Sequence, residues 1–317
     1  MATSVSSVSA LTMCAACGKE EDEDTKLKFC NACKLVKYCS RDCQAAHRKQ
    51  HKQACKKRAA ELYDEQLFKE VEPEECPICL LPLSNETHTE LFQSCCGKVI
   101  CCGCMHSMKE SEGGVDLCAF CRTPAPTSEK ELKKRLKKLI EKEESGGAFL
   151  NLATFYARGS LGMPQDQQKA NELYLKGGQL GCSNAYLNLG NSYYFGQGAE
   201  VDKKKAKHYY ELAAIGGNAE ARHALGILEG KAGNHRAFKH TMIAARAGHT
   251  EALDLVKKGY MHGNVTKDEY ANTLRAYHER QKEMKSDARD KATEVYRERL
   301  RENSFLTFDR SEMQAQR

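Results

Sequence analysis

Cysteine placement is the feature that most restricts what this chain can fold into. Sixteen of its seventeen cysteines lie between Cys14 and Cys121, most of them in Cys-x-x-Cys pairs. A Cys-x-x-Cys turn directs two thiolates at one metal ion, and zinc takes four such ligands in a tetrahedron. Disulfides would need an oxidising compartment, but the stretch Met1 to Thr12 is rich in serine, lacks Lys and Arg, and has no secretory pattern. The sequence therefore predicts zinc binding inside the cell, in the cytoplasm or the nucleus.

Length and composition indicate two or three domains without a membrane anchor. The 317 residues are 41% hydrophobic and 29% charged, and no apolar run is long enough to cross a membrane. Tryptophan is absent and aromatic residues make up only 7% of the chain. We therefore expect zinc coordination and helix stacking, rather than bulky aromatic cores, to stabilise the folded parts.

The positive formal charge does not by itself indicate nucleic-acid binding. Fifteen zinc-bound thiolates would remove fifteen charges and four zinc ions would return eight, so the formal +6 would become −1. Residues 26–58 carry eleven Lys and Arg against one acid, Asp42, but lack the aromatic interleaving of a base-stacking surface. We expect partners that are proteins, with nucleic acid unlikely.

Residues 14–55 contain enough ligands for two zinc ions. The eight candidates are Cys14, Cys17, Cys30, Cys33, Cys39, Cys43, His51 and Cys55. From Cys39 onward a spacing of four residues continues through Cys43, His47, His51 and Cys55, which places these side chains on one face wherever the segment is helical. Spacing alone leaves His47 open as a replacement for His51.

The neighbours of these ligands add a more specific signature. It consists of Tyr38-Cys39-Ser40, Cys43-Gln44, His51-Lys52 and Cys55, and it resembles the MYND-type zinc finger. The resemblance implies that His51 is the histidine ligand. It also implies interleaved sites, one made of Cys14, Cys17, Cys39 and Cys43 and the other of Cys30, Cys33, His51 and Cys55. The family usually has Trp at the position of Arg48, on a surface associated with proline-containing peptides, so the resemblance leaves peptide binding by this finger open.

A second set of cysteines lies in residues 73–126. Its eight candidate ligands are Cys76, Cys79, Cys95, Cys96, Cys101, Cys104, Cys118 and Cys121. Their order resembles a RING finger, with Lys98 at the place where that family commonly has a histidine ligand. Because a charged lysine has no lone pair for zinc, the set resembles the all-cysteine RING variant.

The RING resemblance implies cross-braced ligation by these cysteines. One zinc would be held by Cys76, Cys79, Cys101 and Cys104, and the other by Cys95, Cys96, Cys118 and Cys121. Cys95 and Cys96 are adjacent, and neighbouring side chains tend to diverge. His88, His106 and Cys102 therefore remain alternatives to one of them.

The same resemblance implies a surface for a ubiquitin-conjugating enzyme. Ile78 lies between the first two ligands, Met105 follows the sixth and Arg122 follows the last, while the usual proline after the seventh ligand is Ala119 here. A RING has no nucleophile and acts by positioning a thioester-linked ubiquitin. We find no Ser/His/Asp set, phosphate-binding loop or dinucleotide fingerprint that would indicate another enzyme.

From about residue 148 the chain repeats itself. Ala170, Ala206 and Ala237 each precede a glycine by eleven residues and mark units of 36 and then 31 residues. Two-helix repeats of this length predict an α-solenoid. We expect first helices to begin near Phe149, Ala185, Ala219 and Glu251, and second helices to include Lys169–Lys176, Lys203–Ile215 and His235–Ala247.

One unit carries a more specific signature. It contains Leu189-Gly190, Gly196-Gln197-Gly198, Asp202 and Lys205-Ala206. This signature resembles the Sel-like repeat, a relative of the tetratricopeptide repeat. The resemblance implies that other proteins bind on the concave face of the array.

The sequence as a whole predicts a multidomain protein with two small binuclear zinc modules followed by an all-α helical-repeat solenoid. The expected parts are a disordered N-terminus (1–13), a MYND-type finger (14–55), a helical linker (56–72), a RING-type finger (73–126), a charged helical linker (127–147), Sel-like repeats (148–283) and a charged tail (284–317), helical near 287–302. The leading hypothesis is a RING-type ubiquitin ligase that binds four zinc ions and recruits substrate on its repeats. The alternative is a non-catalytic scaffold or transcriptional adaptor.

Overall fold

A computed structural model of the protein describes residues 12–83, 90–111, 117–142 and 145–298. In chain order, its elements are β1 (Lys28–Phe29), β2 (Lys37–Tyr38), α1 (Arg41–Leu67), β3 (Glu90–Phe92), β4 (Val99–Cys101), α2 (Cys102–Ser111), α3 (Glu129–Glu141), α4 (Gly146–Arg158), α5 (Gln167–Gln179), α6 (Ser183–Phe195), α7 (Lys203–Ile215), α8 (Ala219–Lys231), α9 (Arg236–Arg246), α10 (Thr250–Met261), α11 (Lys267–Glu283) and α12 (287–298). Apart from Thr12 and Met13, the N-terminal segment predicted to be disordered lies outside the described residues. None of these helices combines the length and apolar character that a bilayer span requires.

The chain divides into two compact units at the boundary between Lys69 and Glu70. The first unit contains the β1–β2 antiparallel hairpin and α1. Ser40 begins α1 because its hydroxyl accepts a hydrogen bond from the N–H of Cys43 at 3.1 Å. The helix continues unbroken from the finger into the predicted linker 56–72 and ends at Leu67, and residues 69–74 form neither helix nor strand.

The second unit begins with a small hairpin and a short helix. β3 and β4 pair antiparallel, with Glu90 opposite Cys101, and α2 follows directly. After it, α3 packs against α4 and buries Leu136, which is only 1% exposed. Within the segment 127–147, the helix spans Glu129–Glu141, and Leu136 of its apolar stripe is buried.

Paired helices form the rest of the second unit, and the predicted all-α repeat architecture is confirmed. The first helices start at Gly146, Ser183, Ala219 and Thr250, within three residues of the predicted starts. Small side chains allow the paired helices to approach closely. Fully buried alanines of these helices include Ala153, Ala170, Ala185, Ala206 and Ala213.

Glycine is required at one of these crossings. A Cβ on Gly190 of α6 would lie 2.6 Å from the ring of Tyr210 on α7, a separation that real Cβ atoms do not tolerate. Tyr210 is 3% exposed, and its hydroxyl donates a hydrogen bond to Asn191 at 2.8 Å, so the ring is fixed from both ends. The tyrosine of one helix therefore packs directly on the backbone of the other.

We expect Gly190→Ala to destabilise the repeats by about 1–3 kcal/mol because the added methyl group overpacks a fixed ring. Gly230→Ala is the matched control, since its Cβ would meet only Ala237 at 3.7 Å, an ordinary contact. That control should be neutral or stabilising because alanine favours helix. Urea unfolding followed by circular dichroism measures both. Equal effects of the two substitutions would contradict the packing argument.

Candidate metal centres

The structure brings the sixteen predicted ligand side chains into four groups, and within each group the four ligand atoms lie within 4.8 Å of one another. The groups are Cys14, Cys17, Cys39 and Cys43; Cys30, Cys33, His51 and Cys55; Cys76, Cys79, Cys101 and Cys104; and Cys95, Cys96, Cys118 and Cys121. In both modules the two groups alternate along the chain. Each pair of sites is therefore interleaved rather than sequential.

One type of backbone turn positions the Cys-x-x-Cys pairs that begin at Cys14, Cys30, Cys76 and Cys118. In each turn the N–H four residues after the first cysteine donates to its carbonyl at 2.8–3.0 Å, and the N–H of the first cysteine donates onward along the chain. The residue that follows each second cysteine has a left-handed backbone. These residues are Gly18, Lys34, Leu80 and Arg122, with φ between 55° and 74°.

Such a turn does not require glycine at that position, but it disfavours other residues. A left-handed conformation costs a non-glycine residue about 1 kcal/mol, and three of the four turns accept this cost. Only Gly18 is a residue type that would indicate a left-handed turn in the sequence, so the geometry shared by the four turns could not be read from their residue types. The hydrogen bonds fix both cysteines on one side of the turn, which is how two sulfurs come to face one point.

A related turn explains how Cys95 and Cys96 can converge. The N–H of Gly97 donates to the carbonyl of Gln93 at 2.8 Å, and the N–H of Gln93 donates to the carbonyl of Lys98 at 2.8 Å, as in the other turns. Gln93 thus takes the place of the usual first cysteine, and both cysteines join the same group. Adjacent side chains tend to diverge in an extended backbone, but in this turn Cys95 and Cys96 converge.

Sulfur separations within the groups suit a tetrahedral ion. Six pairs lie at 3.5–3.8 Å: Cys17–Cys39, Cys39–Cys43, Cys30–Cys55, Cys76–Cys104, Cys79–Cys101 and Cys96–Cys118. Zinc bound to sulfur at about 2.3 Å gives a tetrahedron with an edge of about 3.8 Å. A disulfide would require about 2.05 Å, and all seventeen cysteines are free thiols.

Ionisation of all four thiols in one group also requires a cation. Burial raises the pKa of Cys14, but backbone hydrogen bonds at Cys17, Cys39 and Ala16 outweigh it and lower the pKa to about 6. In the same group, hydrogen bonding to Cys43 and Cys17 raises the pKa of Cys39 to about 12. Four thiolates so close together repel one another unless a divalent ion compensates them. Thiolate and imidazole donors in sets of four fit zinc.

The alternatives to these ligands lie elsewhere. The Nδ1 atom of His47 is 3.1 Å from the hydroxyl of Tyr38, and its ring stacks on that of His51 at 5.6 Å. Cys102 belongs to none of the four groups, and His106 lies 3.4 Å from Glu110. His88 lies outside the described residues.

Sequence reasoning missed Arg289 of α12. Its guanidinium donates to the carbonyls of Pro82 (2.8 Å), Leu81 (3.3 Å) and Met284 (2.9 Å), and it lies 3.7 Å from the sulfur of Cys79. The side chain is only 9% exposed. Part of the predicted charged tail therefore packs on the second module.

Gly103 allows this close approach. A Cβ on it would lie 2.7 Å from the backbone nitrogen of Arg289. The only sequence signal was the small residue between Cys102 and Cys104, because one arginine in a charged segment has no distinguishing pattern.

The three residues that would contact a conjugating enzyme differ in accessibility. Ile78 is 41% exposed, and Arg122 is exposed on the turn that ends the second module. Met105 is half-buried and packs against the core that contains Ile100 and Leu83. The ammonium of Lys98 lies 4.3 Å from the centre of the Phe120 ring.

Comparison with known families identifies two parts of the chain. Residues 14–55 match the MYND finger. Residues 150–182 and 183–218 match the Sel1 repeat. The first module is therefore a MYND finger, and the helical array contains Sel1 repeats, so these two predicted resemblances are confirmed.

One similar protein is chitin synthase regulatory factor 1 of Schizosaccharomyces pombe. It is 34% identical over 110 residues, which cover 32% of this chain and 24% of that protein. The matched region thus spans about a quarter of the relative.

Solved structures with partial similarity include two bacterial repeat proteins. The Sel1 repeat protein from Oxalobacter formigenes is 20% identical, covers 59% of this chain and 74% of its own, and has a TM-score of 0.43. The c5321 antigen of uropathogenic Escherichia coli, which displays an SLR fold, is 21% identical, covers 55% of this chain and 38% of its own, and has a TM-score of 0.42.

Adjacent cysteines allow a direct test of the ligand assignment. We expect Cys101→Ser to lower the zinc content of the purified protein by about one equivalent, because a site with three donors left binds the ion weakly. Cys102→Ser, one residue away and outside every group, should retain the full content. Elemental analysis of matched preparations measures both. Equal losses would contradict the assignment.

A second expectation concerns Arg289. Replacing it by methionine should destabilise the second unit by about 1–3 kcal/mol, because the partly buried carbonyls of Leu81, Pro82 and Met284 lose their donor. Arg297→Met on the same helix is the control, since that side chain is 64% exposed. Hydrogen exchange of residues 76–83 in the full chain reports the effect. Unchanged protection in Arg289→Met would contradict the role given to this contact.

Proposed function

We propose that this chain is a zinc-binding interaction protein whose second module acts as a RING-type ubiquitin ligase while the Sel1 repeats recruit a protein substrate. The observation that carries the proposal is the alternation of the two cysteine groups in the second module. The chain order is Cys76, Cys79, then Cys95, Cys96, then Cys101, Cys104, then Cys118, Cys121, with the first and third pairs in one group and the second and fourth in the other. This alternation agrees with the cross-braced order that the RING resemblance implies. The MYND finger shares it, so the exposed Ile78 and Arg122 are needed as well to favour ubiquitin transfer.

The chemistry available to the second module also agrees with a positioning role. Burial raises the pKa of Cys102, which is the thiol of this module outside the metal groups. A thiol with a raised pKa is a poor nucleophile at neutral pH. The module would then act by holding a conjugating enzyme, with ubiquitin linked to it as a thioester, in a reactive arrangement.

The proposed docking surface combines an apolar and a cationic contact. Ile78 and Leu80 are 41% and 67% exposed on the first turn, and Arg122 is exposed on the last turn. Exposed apolar side chains of this size are typical of interaction sites. The fork of Arg122 would donate hydrogen bonds to the conjugating enzyme and to ubiquitin at once.

The second candidate function is a non-catalytic scaffold or transcriptional adaptor. The similarity to a fission-yeast protein named as a regulatory factor favours it. In this case zinc would serve only to fold the modules, and the repeats would hold a partner without ubiquitin transfer. Both functions use the same protein-binding surfaces.

Ubiquitin transfer distinguishes the two functions. The full chain is incubated with activating enzyme, a panel of conjugating enzymes, ubiquitin and ATP, and chain formation is measured. We expect Ile78→Ala and Arg122→Asn to reduce the rate at least about fivefold, as for central interface residues. Asparagine tolerates the left-handed backbone at position 122, so strain would not explain the loss.

Leu180→Ala is the matched control, since Leu180 is an apolar residue of the repeats that is 43% exposed. It should leave the rate unchanged. Absence of ubiquitin chains with every conjugating enzyme, in protein with full zinc content, would reject the ligase and favour the scaffold.

A further inference from the structure

A groove of about 600 Å³ lies along the repeats of the second unit. One wall comes from the starts of α8 and α10 and from the ends of α9 and α11. The other wall is the chain's own segment Glu70-Val71-Glu72-Pro73. This segment forms neither helix nor strand, and the proline favours an extended backbone before it.

Two carboxylates of this segment pair with arginines of the groove. Arg246 donates to Glu70 at 2.7 Å, and Arg280 donates to Glu72 at 3.3 Å. The residue between them, Val71, rests against Gly217. A Cβ on Gly217 would lie 3.2 Å from a Val71 methyl carbon, so the valine packs on bare backbone. Two charge contacts thus flank one apolar contact.

The floor of the groove adds a third cation. Arg222 is 2% exposed, and burial lowers its pKa to about 10 against the opposing effect of Glu70. It therefore remains charged at neutral pH. Glu220 and Glu251 also line the groove, which makes the surface selective for particular carboxylate positions and unfavourable for a polyanion such as nucleic acid.

The segment is held weakly enough to exchange. The side chains of Glu70 and Glu72 are 52% and 92% exposed in their ion pairs. Pairs this exposed contribute about 0–1 kcal/mol each. A ligand with the same pattern of contacts could therefore displace the segment at modest cost.

We propose that this groove binds an extended acidic peptide in which two glutamates flank an apolar residue and a proline follows, and that residues 70–73 occupy it in cis. A partner protein carrying such a segment would compete with the internal one. This inference rests on the proposed role of the repeats in recruiting a partner, and it is independent of ubiquitin transfer.

The test uses the full chain and a fluorescent peptide with the sequence of residues 69–75, measured by fluorescence anisotropy. We expect the double variant Glu70→Ala, Glu72→Ala to bind this peptide at least about threefold more tightly than the unmodified chain, because the competing internal segment loses both of its ion pairs. In that background, Arg246→Gln should weaken binding about two- to fivefold by removing an exposed, charged hydrogen bond. Lys257→Gln, an exposed cation outside the groove, is the matched control and should have no effect.

Three results would overturn the proposal. The first is equal peptide affinity of the unmodified chain and the double variant. The second is an equal loss in Arg246→Gln and Lys257→Gln, with circular dichroism confirming that both are folded. The third is displacement of the peptide by a single-stranded oligonucleotide at equal concentration. Peptide binding without ubiquitin transfer would reject the ligase alone, whereas transfer without peptide binding would reject the groove alone.

Discussion

The folds of the two cysteine-rich modules depend on one constraint. In each of four groups, four donor atoms lie within 4.8 Å of one another. Hydrogen-bonded turns hold the sulfurs in place, but the same turns place partly ionised thiols against one another, so that Cys14 and Cys39 of a single group have opposite pKa shifts. A divalent cation removes that conflict. Because modules of about fifty residues bury little apolar surface, coordination rather than core size determines whether they fold.

The repeats are stabilised by a different interaction. Their helices approach closely because alanine and glycine lie between them, as where Tyr210 packs on Gly190. Among the described residues of the repeats there is no metal group. The second module nevertheless belongs to the same compact unit. Arg289 joins the two by donating to the carbonyls of Leu81 and Pro82 beside a metal group. Loss of metal from the second module would therefore also remove a packing surface of α12.

This arrangement gives the proposed function a physical basis. If the repeats bind a partner and the second module binds a conjugating enzyme, both ligands are held by one compact unit. Less entropy is then lost when the two ligands meet. Residues 70–73, which are proposed to occupy the repeat groove in cis, lead directly into the second module, since Pro73 is three residues before Cys76. The exposed ion pairs of this segment would let it exchange with a partner in the way proposed.

The sequence by itself determined the candidate ligands, the repeat period and the starts of the first repeat helices to within three residues, because each depends on residue type and on spacing along the chain. The division of the ligands into four groups followed only from the family resemblances. It did not reveal the left-handed turns at Lys34, Leu80 and Arg122, or the convergence of Cys95 and Cys96, because hydrogen bonds rather than spacing create them. Only the tertiary structure decided that Arg289 contacts the second module and that Glu70 meets Arg246 across 176 residues. Such contacts join single residues far apart in the chain, and no local pattern records them.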